Sequence, residues 1–247
     1  MTSPTVTYES SENIAAITLN RPERLNALNS QLVKELEQAW LRFEDSDDRV
    51  AVLSAAGDRA FSAGADLQDN PMDLYRAIPN VAIPLSKPVI AAVHGHCIGG
   101  GYVIAQHCDL IVAAEDTKFM YPEARVGFTG GIAAGVAARV PHKFAMEFLL
   151  LGETIDAQHA YEMGMVNRVL PKGKHTELAF AWARRIADSA PLVIQTLKDF
   201  ADRSLVHSPA EDSARTRRDI SLVTDSADRY EGAAAALEKR EPQWIGA

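Results

Sequence analysis

The chain has only two cysteines in 247 residues, Cys97 and Cys108, both within a stretch of apolar and small residues. A disulfide-stapled fold is excluded, and the 47% hydrophobic content is enough for a sizeable core without staples. The sequence also lacks a secretory leader and any long uncharged apolar run, so it reads as a reduced, cytoplasmic protein. Basic excess is absent too: 25 Lys and Arg stand against 33 Asp and Glu, a formal charge of −8. That balance opposes general attraction to nucleic acid or to anionic membranes, and an anionic ligand would need local basic groups. No internal repeat, low-complexity tract or flexible linker interrupts the chain.

What is present alternates between strand and helix signals. Thr5 to Leu19 reads as a β-hairpin around Ser10-Ser11-Glu12-Asn13, followed by a loop over Asn20 to Arg24. Leu32, Val33, Leu36, Ala39, Trp40 and Phe43 recur at helical spacing, with Asn29 or Ser30 as the cap. Val50–Leu53, Pro88–Val93, Leu110–Ala114 and Val166–Leu170 read as strands, and His142–Leu151 as a helix. Asp156 caps a short helix that Gly164 ends. After about Thr176 only helical signals remain, with starts marked at Ser208-Pro209-Ala210-Glu211 and at Asp228-Arg229-Tyr230-Glu231. The expected fold class is α/β, with a core over residues 1–185 and a helical region over 186–247.

Two glycine-bearing segments carry the candidate chemistry: Phe61-Ser62-Ala63-Gly64-Ala65-Asp66-Leu67 and His94-Gly95-His96-Cys97-Ile98-Gly99-Gly100-Gly101-Tyr102. Small residues let a ligand approach main-chain N–H groups, and two converging loops can offer one N–H each to the same oxygen. Taken singly, such loops also mark tight turns and close helix packing. The triple glycine precedes Val103-Ile104-Ala105 and could open a helix whose N-terminal dipole favours negative charge. His94, His96, Cys97, His107 and Cys108 match no zinc-ligand spacing, and the glycine runs lack the full dinucleotide-binding pattern.

These segments, with Lys87-Pro88-Val89-Ile90-Ala91-Ala92-Val93-His94-Gly95 and Cys108-Asp109, resemble the signature of the enoyl-CoA hydratase/isomerase family, the crotonase superfamily. The likeness extends from Asn20-Arg21-Pro22 to Glu238-Lys239-Arg240 and so covers essentially the whole chain. It implies a crotonase-like spiral of β-β-α units with a C-terminal helical region for trimerisation, hence a homotrimer or dimer of trimers. It also implies an acyl-CoA thioester as ligand, with no cofactor beyond the CoA of the substrate. By motif matching, Ala63 and Gly100 would form the oxyanion hole. The segment Ala63, Gly64, Ala65, Asp66 and Leu67 would hold the thioester and adenine ends of CoA. Arg24, Lys239 and Arg240 are candidate phosphate contacts, each also readable as a solvated surface charge.

Glu123 stands in Tyr121-Pro122-Glu123-Ala124-Arg125, which resembles the segment carrying a catalytic glutamate; a salt bridge to Arg125 is the plainer alternative. The departure is at Val103, where related hydratases carry a second glutamate that helps to activate water. The loop Gly127 to Gly135 also lacks the usual proline and threonine. A single carboxylate suits an isomerase-like transfer of one proton, a divergent hydratase or lyase is the second catalytic reading, and a non-catalytic acyl-CoA carrier is the alternative. Tyr102, Tyr121 and His107 are further acid–base candidates, equally readable as packed or surface side chains.

Overall fold

The computed structural model describes residues 3–246. Glu12 and Asn13 both take positive φ, 54° and 61°, in the two-residue turn that matches strand twist. The turn folds Val6–Ser11 (β1) back on Ile14–Leu19 (β2). Asn29 caps Ser30–Asp45 (α1) by accepting from the Leu32 N–H at 3.0 Å. Trp40, wholly buried on that helix, donates its indole N–H to the Ala77 carbonyl at 2.9 Å. Truncating such a residue costs about 3–5 kcal/mol.

The chain then steps three times from a large sheet to a small one. Val50–Ala55 (β3) leads to Ala60–Ser62 (β4), and Val89–Val93 (β5) leads to His96–Ile98 (β6). After the helix Gly100–Gln106 (α2), Leu110–Ala114 (β7) leads to Lys118–Met120 (β8). Glu123–Val126 (α3) and His142–Leu151 (α4) follow, then Ile155–Asp156 (β9), Ala157–Glu162 (α5) and Arg168–Leu170 (β10). The helices Lys174–Ala187 (α6), Pro191–Ser204 (α7), Pro209–Thr224 (α8) and Ala227–Glu238 (α9) complete the order.

The large sheet runs β1-β2-β3-β5-β7-β10 and is parallel from β2 onward; the small one runs β4-β6-β8-β9. Alternation sorts the large sheet's side chains. Ile17, Leu53 and Ala91 face α1 and the small sheet, while Val52, Ile90 and Val112 face Ala179 and Ala183 of α6. This is the α/β spiral that the sequence implied. No described helix is long and apolar enough to cross a membrane.

Some boundaries differ from expectation. The last core strand begins at Arg168 because Val166 packs into the core before pairing starts. The final helix is capped by Ser226, which accepts from the Arg229 N–H at 3.2 Å. Asp228 instead accepts from the N–H groups of Ile245 and Gly246. The expected division after residue 185 falls in the last turn of α6, whose Ala187 still packs with the sheet.

Candidate active site

Two loops meet where two side chains are missing. Gly64 has φ +88°, and a Cβ there would lie 2.9 Å from the Ile98 carbonyl oxygen; a Cβ on Gly101 would lie 2.6 Å from Cβ of Ser62. Glycine at both positions lets the loop 61–67 rest against 98–101. A parallel bridge between Leu28 and Ala65 then sets the loop's orientation. The Leu28 N–H donates to the Gly64 carbonyl at 2.8 Å, and the Asp66 N–H donates to the Leu28 carbonyl at 2.9 Å. Pairing through its two neighbours leaves the N–H of Ala65 turned away from that ladder.

Gly100 is the first residue of α2, so its N–H has no acceptor within the helix. Ala65 and Gly100 line one cavity of about 190 Å³. Among the described residues neither N–H has a main-chain acceptor. Ala63, the expected partner of Gly100, is placed differently: its N–H donates to the Leu25 carbonyl at 2.9 Å. The Gly64 N–H goes to Ser62 Oγ at 3.2 Å. Of the segment 63–66, Ala65 is therefore the residue with a main-chain donor left for a ligand.

Pro122 precedes α3 and Glu123 opens it, bringing the carboxylate to the cavity wall. Its Oε2 accepts the Gly130 N–H at 3.1 Å. No ion pair joins it to Arg125 among the described residues, so the plainer alternative is not formed. Tyr121 lines the same wall with its hydroxyl 3.3 Å from Thr129 Oγ1. Burial, and next the neighbouring Glu123 carboxylate, raise the phenol's pKa. Val103 lies one turn beyond Gly100 on α2, 4% exposed, and completes this wall with a side chain that has no ionisable group.

The other acid–base candidates lie elsewhere. Tyr102 is buried edge-on against Phe148, with ring centroids 4.7 Å apart. His107 is wedged between the Val103 carbonyl, 2.8 Å from Nδ1, and Glu211 Oε1, 3.0 Å from Nε2. Among the candidate CoA contacts, Arg24 is exposed beside Gln68, and Leu67 is 92% exposed. The Asp66 carboxylate is bound by the Gln68 N–H and by both terminal nitrogens of Arg21; these contacts, the Gln68 one foremost, lower its pKa. Lys239 is exposed at the end of α9. Arg240 pairs through two nitrogens with Glu231 and also with Glu238, so its charge is already balanced, which argues against a phosphate role.

The remaining wall was not legible. Leu74, Ile78, Phe128 and Ile132 make it apolar, and α8 closes it with Ala210, Ser213, Ala214 and Arg217. The three- and four-residue spacing of that stripe is visible in the sequence, but spacing does not tell which surface a helical face will cover. Glu211 fastens α8 in place: its carboxylate meets His107 at the C-terminal cap of α2, Arg139 at 3.2 Å and the Ser208 N–H at 2.6 Å.

The family model described as enoyl-CoA hydratase/isomerase matches residues 9–247. The (E)-benzylidenesuccinyl-CoA hydratase of Thauera aromatica is 34% identical over 260 residues, covering 98% of this chain and 99% of that protein. The carnitinyl-CoA dehydratase of Citrobacter koseri is 34% identical, covering 94% and 95%. The crystal structure of carnitinyl-CoA hydratase from Mycobacterium avium superposes with a TM-score of 0.78 at 32% identity, over 100% of both chains. With full-length coverage at this identity, and a spiral that brings the two glycine loops to one cavity, the chain belongs to the enoyl-CoA hydratase/isomerase family of the crotonase superfamily.

Proposed function

We propose that the chain binds an acyl-CoA thioester with its carbonyl oxygen between the N–H groups of Ala65 and Gly100, and that Glu123 is the sole carboxylate acid–base. The observation that carries this is that Glu123 is the one carboxylate, with Val103 beside it, among the described residues lining a cavity that also holds the two free N–H groups. With a 3-enoyl thioester, the Glu123 carboxylate takes a proton from C2, the double bond shifts toward the carbonyl, and charge gathers on the thioester oxygen. The two N–H donors stabilise that charge in a site partly shielded from water. Glutamic acid then returns the proton at C4, giving the 2-enoyl thioester. No water enters, so valine at 103 is compatible with this chemistry.

Hydration of a 2-enoyl thioester is the second reading, favoured by the hydratase and dehydratase relatives. The hydroxyls of Tyr121 and Thr129 beside Glu123 supply polar partners for a water that Val103 cannot hold. Incubation with 2-enoyl-CoA and 3-enoyl-CoA thioesters, read by mass, separates the two. A shifted double bond at constant mass supports isomerisation; gain of water assigns hydration; thioesters bound and unchanged overturn catalysis in favour of a carrier. The proposed setting is the cytoplasm. The proposed assembly is a homotrimer or dimer of trimers, supported by exposed apolar side chains on the last helices, among them Leu192, Leu197, Phe200 and Val223.

A further inference from the structure

The α8 wall of the cavity carries a cation. Ala210, Ser213, Ala214 and Arg217 lie on one stripe of that helix, and the first three are small enough to leave the cavity open beside them. Among the described residues lining the cavity, Arg217 is the only basic side chain, and the other ionisable ones are Tyr75, Tyr121 and Glu123. Arg217 has no carboxylate within salt-bridge distance and no hydrogen bond to protein among the described residues. Its neighbour Arg215, on another face, is tied to Asp212 and the Asn80 carbonyl. The exposed hydroxyl of Ser213 and amide of Asn70 line the same space and make no hydrogen bond to protein among the described residues.

Position along the helix sets the distance scale. Ala210 packs against Gly131, next to the Gly130 that holds Glu123. Arg217 stands seven residues on, about 10 Å further along the helix axis. A group meeting it would be several bonds removed from the reacting carbons. Arg217, Ser213 and Asn70 are solvent-exposed where they line the cavity, so a neutral acyl chain there leaves the guanidinium to water and gains nothing from it. A carboxylate there would accept its paired N–H groups in the two-pronged geometry that arginine favours.

Resting on the acyl-CoA reading above, we infer that Arg217 recognises a carboxylate at the far end of the acyl group, so that the preferred ligands are CoA monothioesters of dicarboxylic acids. Calorimetry on the full chain with unreactive saturated thioesters tests this without requiring turnover. Adipoyl-CoA is compared with length-matched hexanoyl-CoA and with free CoA, in the wild type, Arg217→Gln and Arg217→Lys. The wild type should bind adipoyl-CoA about tenfold more tightly than hexanoyl-CoA. That ratio should fall to about one in Arg217→Gln and recover partly in Arg217→Lys. A ratio of one in the wild type overturns the inference and leaves the acyl-CoA reading standing. Equal weakening of all three ligands, free CoA included, in Arg217→Gln would make Arg217 a contact to a CoA phosphate and overturn it as well. Absence of binding by either thioester overturns both readings.

Discussion

Glu123 and Val103 reach the cavity from short elements whose placement depends on glycines, so small changes there separate binding from chemistry. Glu123→Gln keeps the acceptor for the Gly130 N–H and removes the ionisable proton. Turnover should fall by about 10²–10⁴-fold with thioester affinity nearly unchanged. Steady-state kinetics alongside calorimetry checks both halves, and undiminished turnover would move the base to Tyr121, the remaining candidate on the wall. Residue types at the site were legible; their donor directions were not. Ala63 and Ala65 look alike in a small-residue loop, and the bridge to Leu28, 37 positions earlier, decides which N–H is free.

Elements reading as continuous apolar runs, β3, β5 and β7, were legible because both faces of a parallel sheet are buried. The small sheet was not, since two or three residues per strand carry no periodicity. At the start of α6, His175 accepts the Gly173 N–H at Nδ1, 3.1 Å away, a bond that needs the neutral ring. Burial foremost, and then nearby His94, lower its pKa to about 4 from the ordinary 6.5. A depressed histidine pKa means that the unfolded chain binds more protons between those values, so stability should decline as pH falls from about 6.5 to about 4. Urea midpoints measured at pH 7, 5.5 and 4.5 should show this decline, flattened in His175→Gln. An identical slope in the variant would assign the loss to other groups.

For the whole molecule, the outer helices leave Leu192, Val193, Leu197 and Phe200 of α7 more than half exposed, at 75%, 55%, 61% and 60%. So much apolar surface along one helix supports the proposed interface between copies of the chain. Sedimentation at micromolar concentration should give a species of three chains or six, and a strictly monomeric boundary would contradict the proposed assembly. Within each chain, the unengaged N–H pair and Glu123 come from residues 65–123, whereas the stripe 210–217 closes the far wall. In the proposed function, reaction and selectivity therefore draw on separate stretches of sequence. On the reading proposed above, exchanging side chains at 213, 214 and 217 should alter which acyl group is admitted and leave the loops at 61–67 and 98–101 in place, whereas Ala210 packs against Gly131 and is tied to the Glu123 side. Such an arrangement would let the acyl preference change through one late helix with the thioester chemistry left unchanged.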